Sequence, residues 1–232
     1  MNADLSTVAA LIGDPARARM LLSLMGNNPL RAGELATIAN VAPATASGHL
    51  AKLLDGRLLS AERQGRQRYY TLFDEQVANA IEALLAVAGD SQLRNKRENT
   101  PQAKPGTLAH ARTCYAHLAG WLGVRIADAL EERGFIAPLD AKAYMITSSG
   151  RAWFEHLAID LPSAEYERER PVARRCLDWT ERRHHLGGPA GRALNKRLNE
   201  LRWIAPLRGT RAVRVTLQGK TRLWELLRIP TA

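Results

Sequence analysis

The sequence has little cysteine, few aromatic residues and no long apolar run. Only 2 of its 232 residues are cysteine, too few for a disulfide framework, and aromatic residues make up 6%. Its apolar stretches fall far short of the roughly 20 residues that a membrane helix needs. The first residues lack the basic segment and apolar core of a secretory signal. We therefore expect a cytoplasmic protein without a membrane partner.

Positive charge is what the chain has in excess. Its 33 Lys and Arg against 23 Asp and Glu give a formal net charge of +10. Residues 1–90 carry 8 basic against 9 acidic side chains, whereas residues 171–232 carry 14 against 4. Nucleic acid is the usual partner of such a basic protein. The arginines of the last segment could extend a DNA contact, bind an anionic effector or only face water.

Composition divides the chain into two predicted domains. All 5 tryptophans lie beyond residue 110, and residues 91–108 are polar, contain 2 prolines and lack apolar periodicity, as linkers do. We predict an N-terminal domain over residues 1–90, a linker over 91–108 and a C-terminal domain over 109–232. The expected fold is mainly α with short β-hairpins, an α+β class.

The first domain has the pattern of several short helices and one hairpin. Asp14-Pro15 and Pro43 supply helix starts. Residues 58–72 predict two strands around a turn at Gly65, with arginines clustered at its tip. Helix-type periodicity predicts helices over residues 5–12, 15–25, 30–39, 43–54 and 75–88.

This order of elements, together with residues 10–21, 45–53 and 65–70, resembles the ArsR/SmtB family of bacterial winged-helix repressors. The resemblance implies a winged helix-turn-helix domain and a homodimer that packs its first and last helices together. It also implies binding to double-stranded DNA at a palindromic operator, with the fourth helix in the major groove. An effector would release the repressor. The residues expected to contact DNA are Pro43, Thr45, Ser47, His49, Lys52, Arg63, Arg66 and Arg68.

The chain departs from the family pattern at several positions. Ala42 replaces the usual N-cap serine of the fourth helix, and Gly48 stands where a bulkier polar residue is common. Either this helix is less firm, or its backbone approaches DNA closely. The third helix has no cysteine and the last helix no histidine, so the two best-known metal sites of the family are absent from this domain.

The C-terminal half contains an internal repeat. Residues 117–136 align without gaps on residues 185–204, so that His117 corresponds to His185, whereas the two cysteines do not correspond. We predict that each copy is a helix, a turn, a short strand and a further helix. The C-terminal domain would then be α-rich and built from two winged-helix-like repeats.

Residues 111–120 and 176–186 resemble the C-terminal extension of a subgroup of longer ArsR-type regulators. Within them, Cys114-x-x-His117 would place a thiol and an imidazole one helical turn apart. Cys176 with His184 or His185 could complete a four-ligand site for a soft metal ion, zinc or copper. The same residues could instead sense thiol oxidation, or only pack in the core.

The same sequence is compatible with other functions. The tryptophans at positions 121, 153, 179, 203 and 224 could line a pocket for a small-molecule effector or belong to the core. The winged helix could be a protein-docking module that senses nothing. An enzyme is not expected, because no Gly-rich phosphate loop, nucleophile elbow or paired carboxylates accompany the cysteines.

Overall fold

The computed structural model describes residues 5–26, 28–93, 103–163 and 171–231. The chain divides into two compact units, one ending at Ile81 and one beginning at Glu82. The division falls earlier than the predicted domain end at residue 90, because Glu82 pairs with arginines of the second unit. Residues 94–102 of the predicted linker lie outside the described residues.

The first unit contains the predicted helices and hairpin. Its last helix, Glu75–Leu93, continues past Ile81 into the second unit. The helix predicted over residues 30–39 begins two residues later, at Ala32. Leu30 and Arg31 form a short strand instead, because they pair with Tyr70 and Tyr69. The strands form one sheet in the order β1-β3-β2. The elements are α1 (Leu5–Ile12), α2 (Pro15–Leu24), β1 (Leu30–Arg31), α3 (Ala32–Ala39), α4 (Pro43–Asp55), β2 (Leu59–Gln64), β3 (Gln67–Leu72) and α5 (Glu75–Leu93).

Local sequence explains where α2 and α4 begin and which face of α4 is buried. Asp14 caps α2, accepting hydrogen bonds from the backbone N–H groups of Ala16 and Arg17 at 2.9 Å. Helix α4 begins at Pro43, and its N-cap, Ala42, makes no side-chain cap bond. Burial of Ala46, Leu50 and Leu53 against α2 and α3 leaves the opposite face of α4 to solvent.

The second unit repeats one succession of elements: hairpin, helix, hairpin, helix. The first copy contains β4 (Arg112–Cys114), β5 (His117–Ala119), α6 (Gly120–Glu132), β6 (Ile136–Pro138), β7 (Ala143–Ile146) and α7 (Ser148–His156). The second contains β8 (Ala173–Leu177), β9 (His184–Gly187), α8 (Gly188–Glu200), β10 (Ile204–Pro206), β11 (Val213–Val215) and α9 (Leu217–Leu227). Strands β6-β7-β8-β9 form one sheet, while β4-β5 and β10-β11 form pairs.

Equivalent residues make equivalent contacts in the two copies. Helices α6 and α8 both begin at a glycine with left-handed φ, +78° at Gly120 and +71° at Gly188. Helices α7 and α9 are both capped by a threonine, whose hydroxyl accepts a hydrogen bond at 3.0 Å from a backbone N–H three residues on. The repeat seen in the sequence is therefore also a repeat of structure.

The prediction that each copy opens with a helix at its histidine is wrong. Cys114 and His117 are not one helical turn apart; they face each other on β4 and β5. The turn between them has Tyr115 at a left-handed φ of 56°, a conformation that the sequence does not signal. The helix begins only at Gly120.

Both copies contribute to a single core in the second unit, with Leu122, Leu130, Leu194 and Leu198 of α6 and α8 buried within it. Among the residues described, no helix has both the length and the apolar character that crossing a bilayer requires.

Candidate DNA interface and candidate metal centre

Helix α4 presents a polar face to solvent. Pro43, Thr45, Ser47 and Lys52, which the sequence predicts to contact DNA, are all exposed. The Ser47 hydroxyl donates a hydrogen bond to the Pro43 carbonyl at 3.0 Å. At Gly48 an added Cβ would meet nothing within 4 Å, so that no protein atom covers the backbone there. This face can approach a flat or grooved surface closely.

His49 lies at the edge of that face and contacts α2. Its side chain is 17% exposed, and its Nδ1 lies 3.4 Å from Arg17 Nη1 and 3.9 Å from Asp14 Oδ1. The Arg17 backbone N–H and guanidinium, together with His49, hold the pKa of Asp14 below its ordinary value. His49, which the sequence predicts to contact DNA, thus also contacts another helix.

The β2–β3 hairpin carries three exposed arginines near its tip. Arg63 and Arg68 lie opposite each other across the two strands, and Arg66 sits in the turn beside Gly65, whose φ is +63°. The Arg68 guanidinium lies 5.5 Å from the centre of the Tyr70 ring. These arginines give the hairpin a concentrated positive charge with guanidinium groups in solvent.

In the second unit, Cys114, His117, Cys176 and His185 come together. One ligand atom from each lies within 4.8 Å of the others. Cys114, His117 and His185 are fully buried, and Cys176 is partly exposed. His117 Nδ1 and His185 Nε2 lie 3.1 Å apart. Of the two histidines offered by the sequence as a fourth ligand, His185 is in the cluster, while His184 Nδ1 lies 3.4 Å from Arg175.

Strand register makes the two cysteines equivalent, contrary to the sequence comparison. Cys114 pairs with His117 across β4 and β5, and Cys176 pairs with His185 across β8 and β9. The gapless alignment missed this relation because two residues join the first pair of strands, whereas the loop from Asp178 to Arg183 joins the second. Each copy therefore contributes one cysteine and one histidine.

The cluster is electrostatically uneven. A hydrogen bond to Cys176 and burial raise the pKa of the Cys114 thiol well above its ordinary value. The same bond and the nearby His185 lower the pKa of Cys176 to about 5. Burial lowers the pKa of His117 well below its ordinary value. Burial also favours neutral His185, but the Cys176 thiolate and Asp178 outweigh it, so that the pKa of His185 is raised.

A buried ionic network that sequence reasoning missed adjoins the cluster. Asp178 Oδ2 lies 3.6 Å from His185 Nδ1 and accepts a hydrogen bond from Arg112 at 3.0 Å. Arg112 lies 3.5 Å from Glu82 of α5, which also pairs with Arg211 at 3.2 Å. Burial opposes the charged form of Asp178, yet Arg112 and His185 lower its pKa to about 2. Glu82, Arg112, Asp178 and Arg211 are separated from one another by 30 or more positions, so their meeting has no local sequence signal.

The tryptophans have separate surroundings. Trp121 stacks on His110, Trp153 stacks on Phe135, and Trp224 is 49% exposed. A cavity of about 460 Å³ in the part of the second unit that is described has no tryptophan in its lining, which is Arg151, Glu155, Ala158, Ile159, Asp160 and Leu161.

Several C-terminal arginines are engaged inside the second unit. Arg183 pairs with Asp128 at 2.7 Å, Arg182 donates to the Ala86 carbonyl, and Arg175 lies over the Tyr144 ring. Part of the basic excess therefore has a structural use. Arg208 and Arg214 remain exposed.

The sequence is similar to known proteins both within the first unit and over nearly the whole chain. Residues 14–61 match the profile described as "Bacterial regulatory protein, arsR family". Over 220 residues the chain is 43% identical to the uncharacterized HTH-type transcriptional regulator YdfF of Bacillus subtilis, covering 95% of each chain.

Solved structures with local likeness include two mycobacterial proteins. The homodimeric winged helix-turn-helix domain Mb0332 of Mycobacterium bovis is 24% identical, with a TM-score of 0.38, and the match covers 41% of this chain and 87% of that one. The cadmium sensor CMTR of Mycobacterium tuberculosis is 25% identical, with a TM-score of 0.29, covering 44% and 97%.

The likeness to a transcriptional regulator over 95% of the chain and the family match over α2, α3 and α4 agree with the winged helix-turn-helix built by the first unit. The chain belongs to the ArsR family of bacterial regulatory proteins and is a DNA-binding transcriptional regulator.

Proposed function

We propose that the protein is a homodimeric repressor that binds a palindromic operator and is released from it by an effector. The observation that carries this proposal is the exposed polar face of α4, followed directly by a hairpin with three exposed arginines. Small polar side chains on a helix suit the major groove, and guanidinium groups suit phosphates.

In this function the two elements have different tasks. Thr45 and Ser47 reach base edges, with Pro43 and Lys52 on either side of them along the helix. His49 orients the helix through its contact with α2, or reads a base at the edge of the groove. The wing arginines at positions 63, 66 and 68 neutralise phosphates and supply affinity that depends on salt rather than on base sequence. Two such units on a two-fold axis would reach successive major grooves about 34 Å apart.

Apolar surface on two helices supports a dimer. Helix α1 has no buried residue, and its Leu5 and Val8 are 80% and 39% exposed. On α5, Leu84 and Val87 are 49% and 74% exposed. Apolar helix faces left open in a single chain favour a partner, and the solved domain Mb0332 is described as homodimeric.

The Cys114–His117–Cys176–His185 cluster supports a second candidate function, a sensor of a soft metal ion or of thiol oxidation. Two neighbouring cysteines, of which Cys176 is partly exposed, suit either chemistry. In this role the effector would act on the second unit and change the affinity of the first for DNA.

The wing assignment is tested by measuring operator affinity against salt concentration. The DNA is a duplex selected by the protein from a random pool. Replacing both Arg66 and Arg68 by alanine is expected to lower the slope of log affinity against log salt by about 1.8, since each phosphate contact contributes about 0.9. All sequences should be weakened alike.

A matched control removes two positive charges elsewhere. Lys196→Ala with Arg222→Ala acts on exposed residues of α8 and α9 and should leave the slope unchanged. An unchanged slope in the wing variant would reject the wing assignment. Failure to select any duplex would instead favour a protein-docking module.

A further inference from the structure

We propose that Cys114, His117, Cys176 and His185 bind one divalent thiophilic cation of the zinc class, in a four-coordinate S₂N₂ site built between the two copies of the repeat. The binding itself is independent of DNA, whereas its regulatory consequence rests on the proposed function.

The spacing of the four residues suits this coordination. With bonds of about 2.3 Å to sulfur and about 2.0 Å to nitrogen, tetrahedral neighbours lie about 3.3 to 3.8 Å apart. The ligand atoms already lie within 4.8 Å of one another, and the two facing histidine nitrogens are 3.1 Å apart. Side-chain shifts of about 1 Å would complete the polyhedron.

Burial of the histidines points to a ligand. Both rings are 0% exposed, and among the described residues their outer nitrogens, His117 Nε2 and His185 Nδ1, which do not face each other, have no hydrogen-bond partner. Buried polar atoms are normally satisfied, because leaving one unpaired costs about 1–3 kcal/mol. Two thiols and two imidazoles gathered in one buried place form a set of donors suited to a cation.

Charge favours a divalent ion. Cysteine binds metal as thiolate, so two cysteines and two neutral imidazoles bring a charge of −2. A divalent ion makes this buried site neutral, whereas monovalent copper would leave one negative charge. The neighbouring acids cannot alter this balance, because Asp178 and Glu82 are matched by Arg112 and Arg211.

Asp178 is the positioning residue of the site. Histidine ligands usually offer their second ring nitrogen to a carboxylate, which fixes the ring. Asp178 Oδ2 lies 3.6 Å from His185 Nδ1, so a small movement of the ring would make this bond. Asp178 is itself held by the backbone N–H of Gly120 at 2.6 Å and by Thr180.

The same carboxylate connects the site to α5. Asp178 bonds to Arg112, and Arg112 lies 3.5 Å from Glu82 on α5. Movement of His185 on metal binding would therefore change an ionic network that includes this helix. If the proposed function holds, this network is the route by which metal alters DNA binding.

The experiment titrates the full-length, reduced, metal-free protein with Co²⁺ and then displaces Co²⁺ with Zn²⁺. One ion per chain is expected, with the intense absorption of thiolate-to-cobalt charge transfer and the d–d bands of a tetrahedral site. Cys114→Ser and Cys176→Ser should each weaken binding by more than about 100-fold, since changes to outer residues alone reach 10- to 100-fold.

Two further variants separate coordination from packing. His184→Gln changes the neighbouring histidine of β9, which lies beside Arg175 rather than in the cluster, and should bind as wild type. Asp178→Asn should weaken binding by about 10- to 100-fold while leaving the charge-transfer absorption in place. Because Cys176 is partly exposed, its serine variant should fold even if Cys114→Ser does not.

Several outcomes would overturn the site: no charge-transfer absorption, equal binding by wild type and Cys176→Ser, or equal losses in His184→Gln and His185→Gln. Tighter binding of Cu⁺ than of Zn²⁺, measured by competition with chelators, would overturn the divalent class. Gel retardation with and without Zn²⁺ tests regulation separately. If the protein binds metal but its operator affinity is unchanged, the metal site stands and metal-dependent release from DNA is rejected.

Discussion

His117 and His185 occupy the same position in the two copies of the repeat, and their rings meet with Nδ1 of the first 3.1 Å from Nε2 of the second. Each lies opposite a cysteine of its own hairpin. The cluster is consequently assembled where the two copies pack, and its geometry depends on that packing as much as on any single strand.

Gly191 is predicted to be essential for that packing. A Cβ on Gly191 would lie 2.2 Å from the Leu186 carbonyl oxygen and 3.1 Å from His117 Cβ. Because backbone must move to accept it, Gly191→Ala should destabilise the protein by about 1–3 kcal/mol, measured by urea unfolding. It should also weaken Co²⁺ binding. The control, Gly33→Ala, adds a methyl group to open space, and an equal effect of the two substitutions would contradict the prediction.

Glu82 is predicted to stabilise the second unit by pairing with two arginines. Its side chain is 2% exposed, and Glu82→Gln removes the negative charge that lies 3.5 Å from Arg112 and 3.2 Å from Arg211. The free energy of unfolding should fall by about 3–5 kcal/mol. In a double-mutant cycle, Glu82→Gln with Arg211→Gln should destabilise less than the sum of the single changes. Additive effects would mean that the pair does not interact.

Ala42 is predicted to limit the stability of α4. Its backbone has an extended N-cap conformation, with φ −63° and ψ 150°, but no side-chain oxygen to accept a bond from the first turn. Ala42→Ser should supply that bond and raise the free energy of unfolding by about 1 kcal/mol. Ala44→Ser, an exposed change inside the same turn, provides no cap and should give no gain.

Gly48 is predicted to serve DNA binding at the expense of helix stability. Its missing Cβ would meet no protein atom, so Gly48→Ala should stabilise α4 by about 0.5–1 kcal/mol. If the backbone approaches DNA at this point, the same methyl group should weaken operator binding in gel retardation. If Gly48→Ala stabilises the protein without weakening operator binding, the backbone at Gly48 does not approach DNA closely.

The sequence predicts the first unit well because its signals are local. Pro43 begins a helix, Gly65 makes a tight turn, and apolar spacing selects the buried face of α4. Each of these effects acts within a few residues, so their positions in the chain and in the structure agree.

The second unit is harder to predict because its important relations are between distant residues. Tyr115 adopts a turn conformation without the glycine or asparagine that normally signals it. The loop after Leu177 displaces Cys176 from a simple alignment with Cys114, although register makes them equivalent. Glu82 lies on an otherwise ordinary amphipathic helix, and only the folded structure brings it to Arg112.

The division of the cluster between two copies has a consequence for how it forms. A chain with one copy would carry one cysteine and one histidine, and could complete the set only by meeting a second chain. Joining both copies covalently makes assembly of the cluster independent of dilution. It also lets the halves diverge: the second hairpin has a longer loop, and that loop alone supplies Asp178, which serves the first copy through Gly120 as well as its own His185.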